Sequence, residues 1–429
     1  MVKSKISEVY FFIKSKFYFL LAFIFNKGLV FIAPLFVSEI LTKKEFGILE
    51  YGLAGLGMVL NSVINLGVQS GYPYFKLKDK SGHLFNAFDL HYVWLLLFFI
   101  ISQVSYYIFN LKLEYYIALN IAYILSNQIY ISTQLKTDSN IIKAVFFDSG
   151  VYLVLFIFCV FAYLDLIPSS LYFINNILLI YASAYSIYAL IKVYNTQYKD
   201  IFKNYFEVLR YSLPVLVGGL LIYFLTVSGR IFIEYFLKDF ETVGIYSFYF
   251  RLAAVVVVIY QIINIAFFKQ MYQLEPRKLD KYFSICFLVL YVISISFFII
   301  SPLIVSQFSS FYTDTIEKNI GIYFLLSAQV IFWIATALLS NIVDREKLAG
   351  KNNKLFILLL ILFIGLLYLT QPVLDLELFV IYHLIIISLA SLIQIRTLNR
   401  EKIYFNKSAG VLISLNIITF LIFYISFYK

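Results

Sequence analysis

Thirteen long apolar runs divide this chain, near residues 17–41, 47–68, 90–109, 115–135, 144–164, 171–192, 211–236, 243–268, 282–304, 319–341, 353–370, 376–397 and 408–427. Each is close to the roughly 20 residues that an α-helix needs to cross the hydrocarbon of a bilayer. With 62% apolar and only 14% charged residues, the chain has too little polar surface to coat a soluble globule of 429 residues. In hydrocarbon every backbone N–H and C=O must be satisfied within its own segment, so the sequence predicts an all-α, polytopic integral membrane protein. The first run is too long for the core of a signal peptide and carries Lys27 in its middle, so it is expected to remain in the mature chain.

Charge sets the expected orientation. With the N-terminus on the cytoplasmic side, 25 of the 34 Lys and Arg residues fall in cytoplasmic segments and six on the opposite side. The remaining three, Lys27, Arg230 and Arg251, fall inside spans. That asymmetry is the positive-inside pattern. The net charge of +10 therefore reads as topology, and no nucleic-acid partner is expected. Connections between runs are short, the longest lying around residues 70–89 and 302–318, and neither leaves room for a soluble catalytic domain. Cys159 and Cys286 lie in apolar runs, where a thiol acts as a small hydrophobe. His83, His91 and His383 lack ligand spacing with one another or with a cysteine or carboxylate, so neither metal nor cofactor is expected.

An internal repeat divides the chain. SEILTKKEFGILEYGLAGLGMVLNSVINLG and IEYFLKDFETVGIYSFYFRLAAVVVVIYQIINIA each place an acid (Glu39, Glu234) before a short polar turn. A Gly-Ile pair then opens the next span (Gly47-Ile48, Gly244-Ile245), and an Ile-Asn pair lies near its end (Ile64-Asn65, Ile263-Asn264). Both copies start from the same side, which describes a parallel repeat about an axis along the membrane normal. Two six-helix lobes are expected, residues 1–192 and 211–397. Residues 193–210 form the expected linker, with Ile201, Phe202, Tyr205 and Leu209 at helical spacing opposite Lys199, Lys203, Glu207 and Arg210, the pattern of an amphipathic surface helix. Residues 398–429 add an extra C-terminal span, which puts the C-terminus outside.

NKGLVFIAPLFVSEILTKKEFGILEYGLAGLGMVLNSVINLG resembles the opening of bacterial polysaccharide flippases, the O-antigen and capsule branch of the multidrug/oligosaccharidyl-lipid/polysaccharide exporter superfamily. SGRIFIEYFLKDFETVGIYSFYFRLA resembles the start of that family's second lobe. The resemblance implies two six-helix bundles around a central cavity that opens alternately to each face of the bacterial inner membrane, moving an undecaprenyl-diphosphate-linked oligosaccharide for O-antigen, capsule or other surface polysaccharide, as in lipopolysaccharide. It also implies membrane lipids as surroundings, with a polysaccharide polymerase and chain-length proteins as candidate partners. One departure stands out. Members often carry an acid after the Ser-Gly of the second motif, whereas here Arg230 follows Ser228-Gly229 directly.

A charge at mid-membrane costs roughly 2.5–3.5 kcal/mol or more unless it meets water, a partner or a ligand. Lys27, Arg230 and Arg251 are therefore the candidate substrate-binding residues. Lys27 reads either as a contact for a lipid diphosphate or sugar carboxylate, or as a packing contact with Asn26. Arg230 has Glu234 at i+4, which can neutralise it locally. Arg251 has no acid at i±3 or i±4, so its partner must come from elsewhere in the fold or from a ligand. Glu50, Asp148 and Glu234 are candidates for carrying a coupling H⁺ or Na⁺, or else are solvated span ends. Pro34, Pro214 with Gly218-Gly219, and Gly52-Gly55-Gly57 mark kinks or close helix packing.

Three functions compete at this stage. A flippase needs no covalent chemistry, only a cationic wet path for an anionic head group. A membrane enzyme of the same pathway, a polymerase or acyltransferase, would want a large external loop or an intramembrane His/Asp constellation. A drug/cation antiporter of the same superfamily would want deep acids rather than deep bases. The sign of the intramembrane charges favours the first, and the chain is not expected to be an enzyme.

Overall fold

The computed structural model describes residues 2–79, 84–194, 196, 200–261 and 274–427, and His83, Lys199 and the Ile263-Asn264 pair lie outside the described residues. The elements are α1 (Val2–Ser38), α2 (Lys43–Ala54), α3 (Leu56–Asn65), α4 (Phe85–Tyr107), α5 (Leu113–Thr137), α6 (Ile141–Asp148), α7 (Gly150–Tyr163), α8 (Leu171–Tyr194) and α9 (Ile201–Thr226). They continue with α10 (Gly229–Leu237), α11 (Phe240–Ala253), α12 (Val255–Gln261), α13 (Pro276–Val305), α14 (Ser310–Arg345), α15 (Ala349–Thr370), α16 (Leu376–Arg400) and α17 (Asn406–Ser426).

Among the described residues, ten spans are long and apolar enough to cross a membrane, with α2 and α3 forming one of them. Two bent pairs, α6 with α7 (59°) and α11 with α12 (46°), bring the number to twelve. The apolar run at 115–135 is the helix α5, which carries Asn120, Ser126, Asn127 and Gln128 wholly buried. It can be this polar because α3, α4, α6 and α8 cover it: Asn120 accepts from Gln103 and donates to Asn175, Ser126 donates to Asn61 Oδ1, and Gln128 donates to the Tyr181 hydroxyl. Elsewhere the outward faces are strongly apolar: on α15, Phe356, Phe363 and Leu367 are buried while Ile357, Leu358, Ile361, Leu362 and Leu369 are exposed. Such a face is stable against lipid and not against water.

The chain forms two compact units, Met1–Leu41 with Tyr51–Val217, and Thr42–Glu50 with Gly218–Lys429. The division falls at Val217/Gly218, later than the expected linker at 193–210. The reason is that α9 starts at Ile201 and runs unbroken through the expected linker into the next apolar run. Its first turns bury Ile201, Asn204 and Val208 and expose Phe202 and Phe206, and the Tyr205 hydroxyl is 2.9 Å from His91 Nδ1.

In the first unit α5 is the central helix; in the second it is α14, which packs against α11, α13, α15, α16 and α17 and buries an unbroken stretch from Gly321 to Phe332. The second unit also seats the C-terminal helix. The Asp280 carboxylate, near the start of α13, accepts from the backbone N–H groups of Lys407 (3.0 Å) and Ser408 (2.8 Å), capping the first turn of α17. About three turns on, the Tyr291 and Thr419 hydroxyls meet at 2.9 Å, and both this contact and the Asp280–Ser408 contact join residues 128 positions apart. A constant offset means that α17 runs parallel to α13 along its length, ending where Phe427 packs on Phe298 and Phe324.

The repeated turns share a capping scheme with its chemistry exchanged. In the first copy Thr42 and Glu45 cap each other, with Thr42 N–H and Oγ1–H donating to Glu45 Oε2 (3.1 and 2.8 Å) and Glu45 N–H donating to Thr42 Oγ1 (3.3 Å). In the second, Asp239 accepts from the backbone N–H groups of Glu241 (2.9 Å) and Thr242 (3.2 Å). Thr42 and Asp239 are the first members of these boxes, and Glu45 and Thr242 the residues three positions on.

A buried Arg-Glu-Arg cluster as the candidate functional site

Three helix segments of the second unit converge on one carboxylate. Glu50, in the part of α2 that belongs to this unit, is fully buried. Arg251 of α11 donates from Nε to Glu50 Oε1 at 2.6 Å. Arg230 of α10 donates from Nε (3.1 Å) and Nη2 (3.0 Å) to the other oxygen, Oε2. Two guanidiniums thus share one carboxylate, each holding a different oxygen. At 1.5 Å per residue, the cluster lies roughly 10–16 Å along its helices from the turns that precede Lys43, follow Leu237 and precede Phe240, which is deep within a bilayer core of about 30 Å.

The local sequence explains the convergence. Gly229 precedes Arg230 at the start of α10, and a side chain there would run into the Tyr246 ring, so its absence lets α10 and α11 approach. The Arg230 guanidinium carbon then sits 5.2 Å from the Phe250 ring centroid and 5.8 Å from that of Tyr246, over aromatic faces that attract a cation. Ser247 Oγ is buried and makes no hydrogen bond among the described residues, and the buried Tyr246 hydroxyl lies within reach of the Gln329 side chain. Behind them Gln329 of α14 donates from Nε2 to His383 Nδ1 of α16 at 3.2 Å, and the His383 ring stacks on Phe363.

The candidates of the sequence fall into separate places. Arg230 and Arg251 are together, and the carboxylate that Arg230 holds is Glu50, 180 positions away, where the sequence pointed to Glu234. Glu234 lies one turn further along α10 and is half-buried. Glu50, in sequence a candidate for ion coupling, is the common partner of both arginines. Lys27 is in the first unit, half-buried, with no carboxylate in ion-pair contact among the described residues, and Asp148 and Lys136 are the charges that act on it. Its neighbour Asn26 is occupied, donating from Nδ2 to the Ala22 carbonyl at 2.7 Å and accepting from Ser149 Oγ. Asp148, at the end of α6, pairs with Lys136 at 2.6 Å. Sequence reasoning missed Tyr246 and Gln329, which nothing in their local pattern distinguishes from core. For Glu50 a signal was present, since it is the one acid in the run 47–68 and could answer an unmatched Arg251.

Among the described residues no three His, Cys, Asp or Glu side chains gather as a metal site would require. The helices and this cluster define a multi-pass α-helical membrane protein with charge buried in its second unit. The chain is similar to the crystal structure of eukaryotic MATE transporter AtDTX14, at 13% sequence identity over 93% of this chain and 95% of that one, with a TM-score of 0.40. A likeness that slight carries no argument about function. No family model and no curated protein matches the sequence.

Proposed function

We propose that this chain is a membrane transporter that moves a lipid-linked, anionic oligosaccharide between the leaflets, with the diphosphate as the charged group it recognises. The observation that carries the reading is the cluster itself: two guanidiniums on one carboxylate, deep in apolar helices, where burying a charge is tolerated only with a partner or a ligand. Guanidinium forks bind phosphate oxygens bidentately, which suits a diphosphate better than a neutral or cationic cargo. The resemblance of the two repeated segments to bacterial polysaccharide flippases points the same way, and with it the bacterial inner membrane and a cytoplasmic N-terminus.

On this reading Lys27, half-buried and outside any ion pair among the described residues, is a further contact for the anionic head group. With Glu50 held by both arginines, coupling to H⁺ or Na⁺ falls to Asp148 or Glu234, and a polymerase and chain-length proteins would receive the product. A cation antiporter is disfavoured because the deep acid, Glu50, is already held by two arginines. The test uses the purified chain in vesicles carrying a fluorescent prenyl-diphosphate oligosaccharide, with an impermeant quencher reporting leaflet exchange. Exchange above that of protein-free vesicles is expected, and its absence with correctly inserted protein would overturn the reading.

A further inference from the structure

We infer that Glu50 is a resident counter-ion which a diphosphate displaces from Arg230 and Arg251, and that this exchange frees the Thr42–Glu50 segment from the second unit. The inference rests on the anionic cargo proposed above and adds what that cargo does to the protein.

Three observations support it. First, the two guanidiniums are held apart on opposite oxygens of a single carboxylate, Oε1 and Oε2. A diphosphate offers more oxygens and more charge than one carboxylate, so it can satisfy both forks at once. Second, a buried hydroxyl stands idle beside the cluster. Ser247 Oγ, one turn before Arg251, makes no hydrogen bond among the described residues, and the Tyr246 hydroxyl, against Gly229 and under the Arg230 guanidinium, has the Gln329 amide as its neighbour. Buried polar groups without partners are uncommon and costly, and an incoming anion would accept from them.

Third, the segment is joined to the second unit in a way that allows release. Thr42–Glu50 belongs to that unit while α2 continues from Tyr51 in the other. Besides the ion pairs, Phe46 packs on the Phe311 ring, and Gly47 meets Gly244 backbone to backbone with no interlocking side chains at that point. Its own helical turn is closed by the Thr42–Glu45 cap. A ligand shifts such an equilibrium by as much as it favours one state over the other, and competition for the same two arginines supplies that difference.

The test uses the full chain in lipid nanodiscs with two probes, inorganic pyrophosphate and farnesyl diphosphate, to separate the bare anion from a lipid head group. In the wild type, saturating probe should raise amide hydrogen exchange across residues 42–50. Glu50→Gln, which removes the competing anion, should bind the probe more tightly by on the order of tenfold, the usual range of coupling between two mutually exclusive ligands. Binding to farnesyl diphosphate alone would assign the site to a lipid head group, and binding to both would show that the diphosphate suffices; either supports the anionic cargo, and displacement of Glu50 is supported when the bound probe also raises hydrogen exchange across 42–50. If the wild type binds a probe while exchange across 42–50 is unchanged, or if folded Glu50→Gln binds no more tightly, the exchange is overturned and the anionic cargo stands. Should neither probe bind to the folded wild type, the cargo reading itself fails. The wild-type exchange measurement decides the matter even if Glu50→Gln does not fold.

Discussion

Gly47 and Gly244, the opening glycines of the two sequence repeats, touch each other through their backbones. A Cβ on Gly47 would lie 2.9 Å from Gly244 N and run into the Phe240 carbonyl oxygen; one on Gly244 would lie 3.4 Å from Gly47 Cα and run into the Lys43 carbonyl oxygen. The contact is reciprocal, since Lys43 precedes Gly47 by the same four positions as Phe240 precedes Gly244. That contact brings Glu50, one turn after Gly47, to arginines that sequence distance puts far away.

That contact leaves no room for a methyl group. Gly47→Ala should therefore destabilise the protein by about 1–3 kcal/mol, the usual cost of overpacking against backbone that cannot move aside. Gly410→Ala, on α17 with open space around it, serves as the control. Thermal unfolding in detergent should show a lower midpoint for the first and none for the second.

Removing one member of the buried cluster leaves charge without its partner. Arg251→Ala and Arg230→Ala should each cost about 3–5 kcal/mol, as broken buried ion pairs do, and lower vesicle transport. Arg230→Ala is expected to be as severe as Arg251→Ala, because Glu50 and not Glu234 is the carboxylate it holds. Arg251→Lys keeps the charge and loses the fork, so partial transport should remain. Equal activity of both alanine variants with the wild type at matched abundance would remove the cluster from the mechanism.

Lys27 gives the opposite signature. With no carboxylate in ion-pair contact among the described residues, Lys27→Ala should leave thermal stability within about 0.5 kcal/mol of the wild type, as substitutions away from special contacts do. Transport of the lipid-linked anion should nonetheless fall, and Lys27→Arg should recover it. Loss of stability without loss of transport would make Lys27 a packing residue.

The parallel run of α13 and α17 fixes which side the end of α17 reaches. Ser426→Cys should react with an impermeant maleimide from the external side, as should Asp314→Cys, while Lys203→Cys should react only after the membrane is opened. All three positions are exposed. Asp280→Ala removes the cap of α17 and should cost about 0.5–2 kcal/mol.

The apolar runs and the all-helical, multi-pass fold were legible in the sequence because hydrocarbon imposes its demands locally: each segment must be long enough, apolar enough and internally hydrogen-bonded. The same locality made residues 201–210 look like a surface helix, since helical periodicity cannot tell a helix that lies on a membrane from the first turns of one that enters it. Arg230 and Arg251 stood out because an isolated charge in an apolar run is costly wherever it ends up. Which carboxylate answers them was decided only in three dimensions. Glu234 at i+4 is the nearest acid along the chain, yet the start of α2, closed against α11 at Gly47 and Gly244, carries Glu50 between the two guanidiniums. Sequence determines what each segment must bury; packing determines whom each buried charge meets, because strong pairing in a low-dielectric interior depends on distances of a few ångströms that separation along the chain does not set.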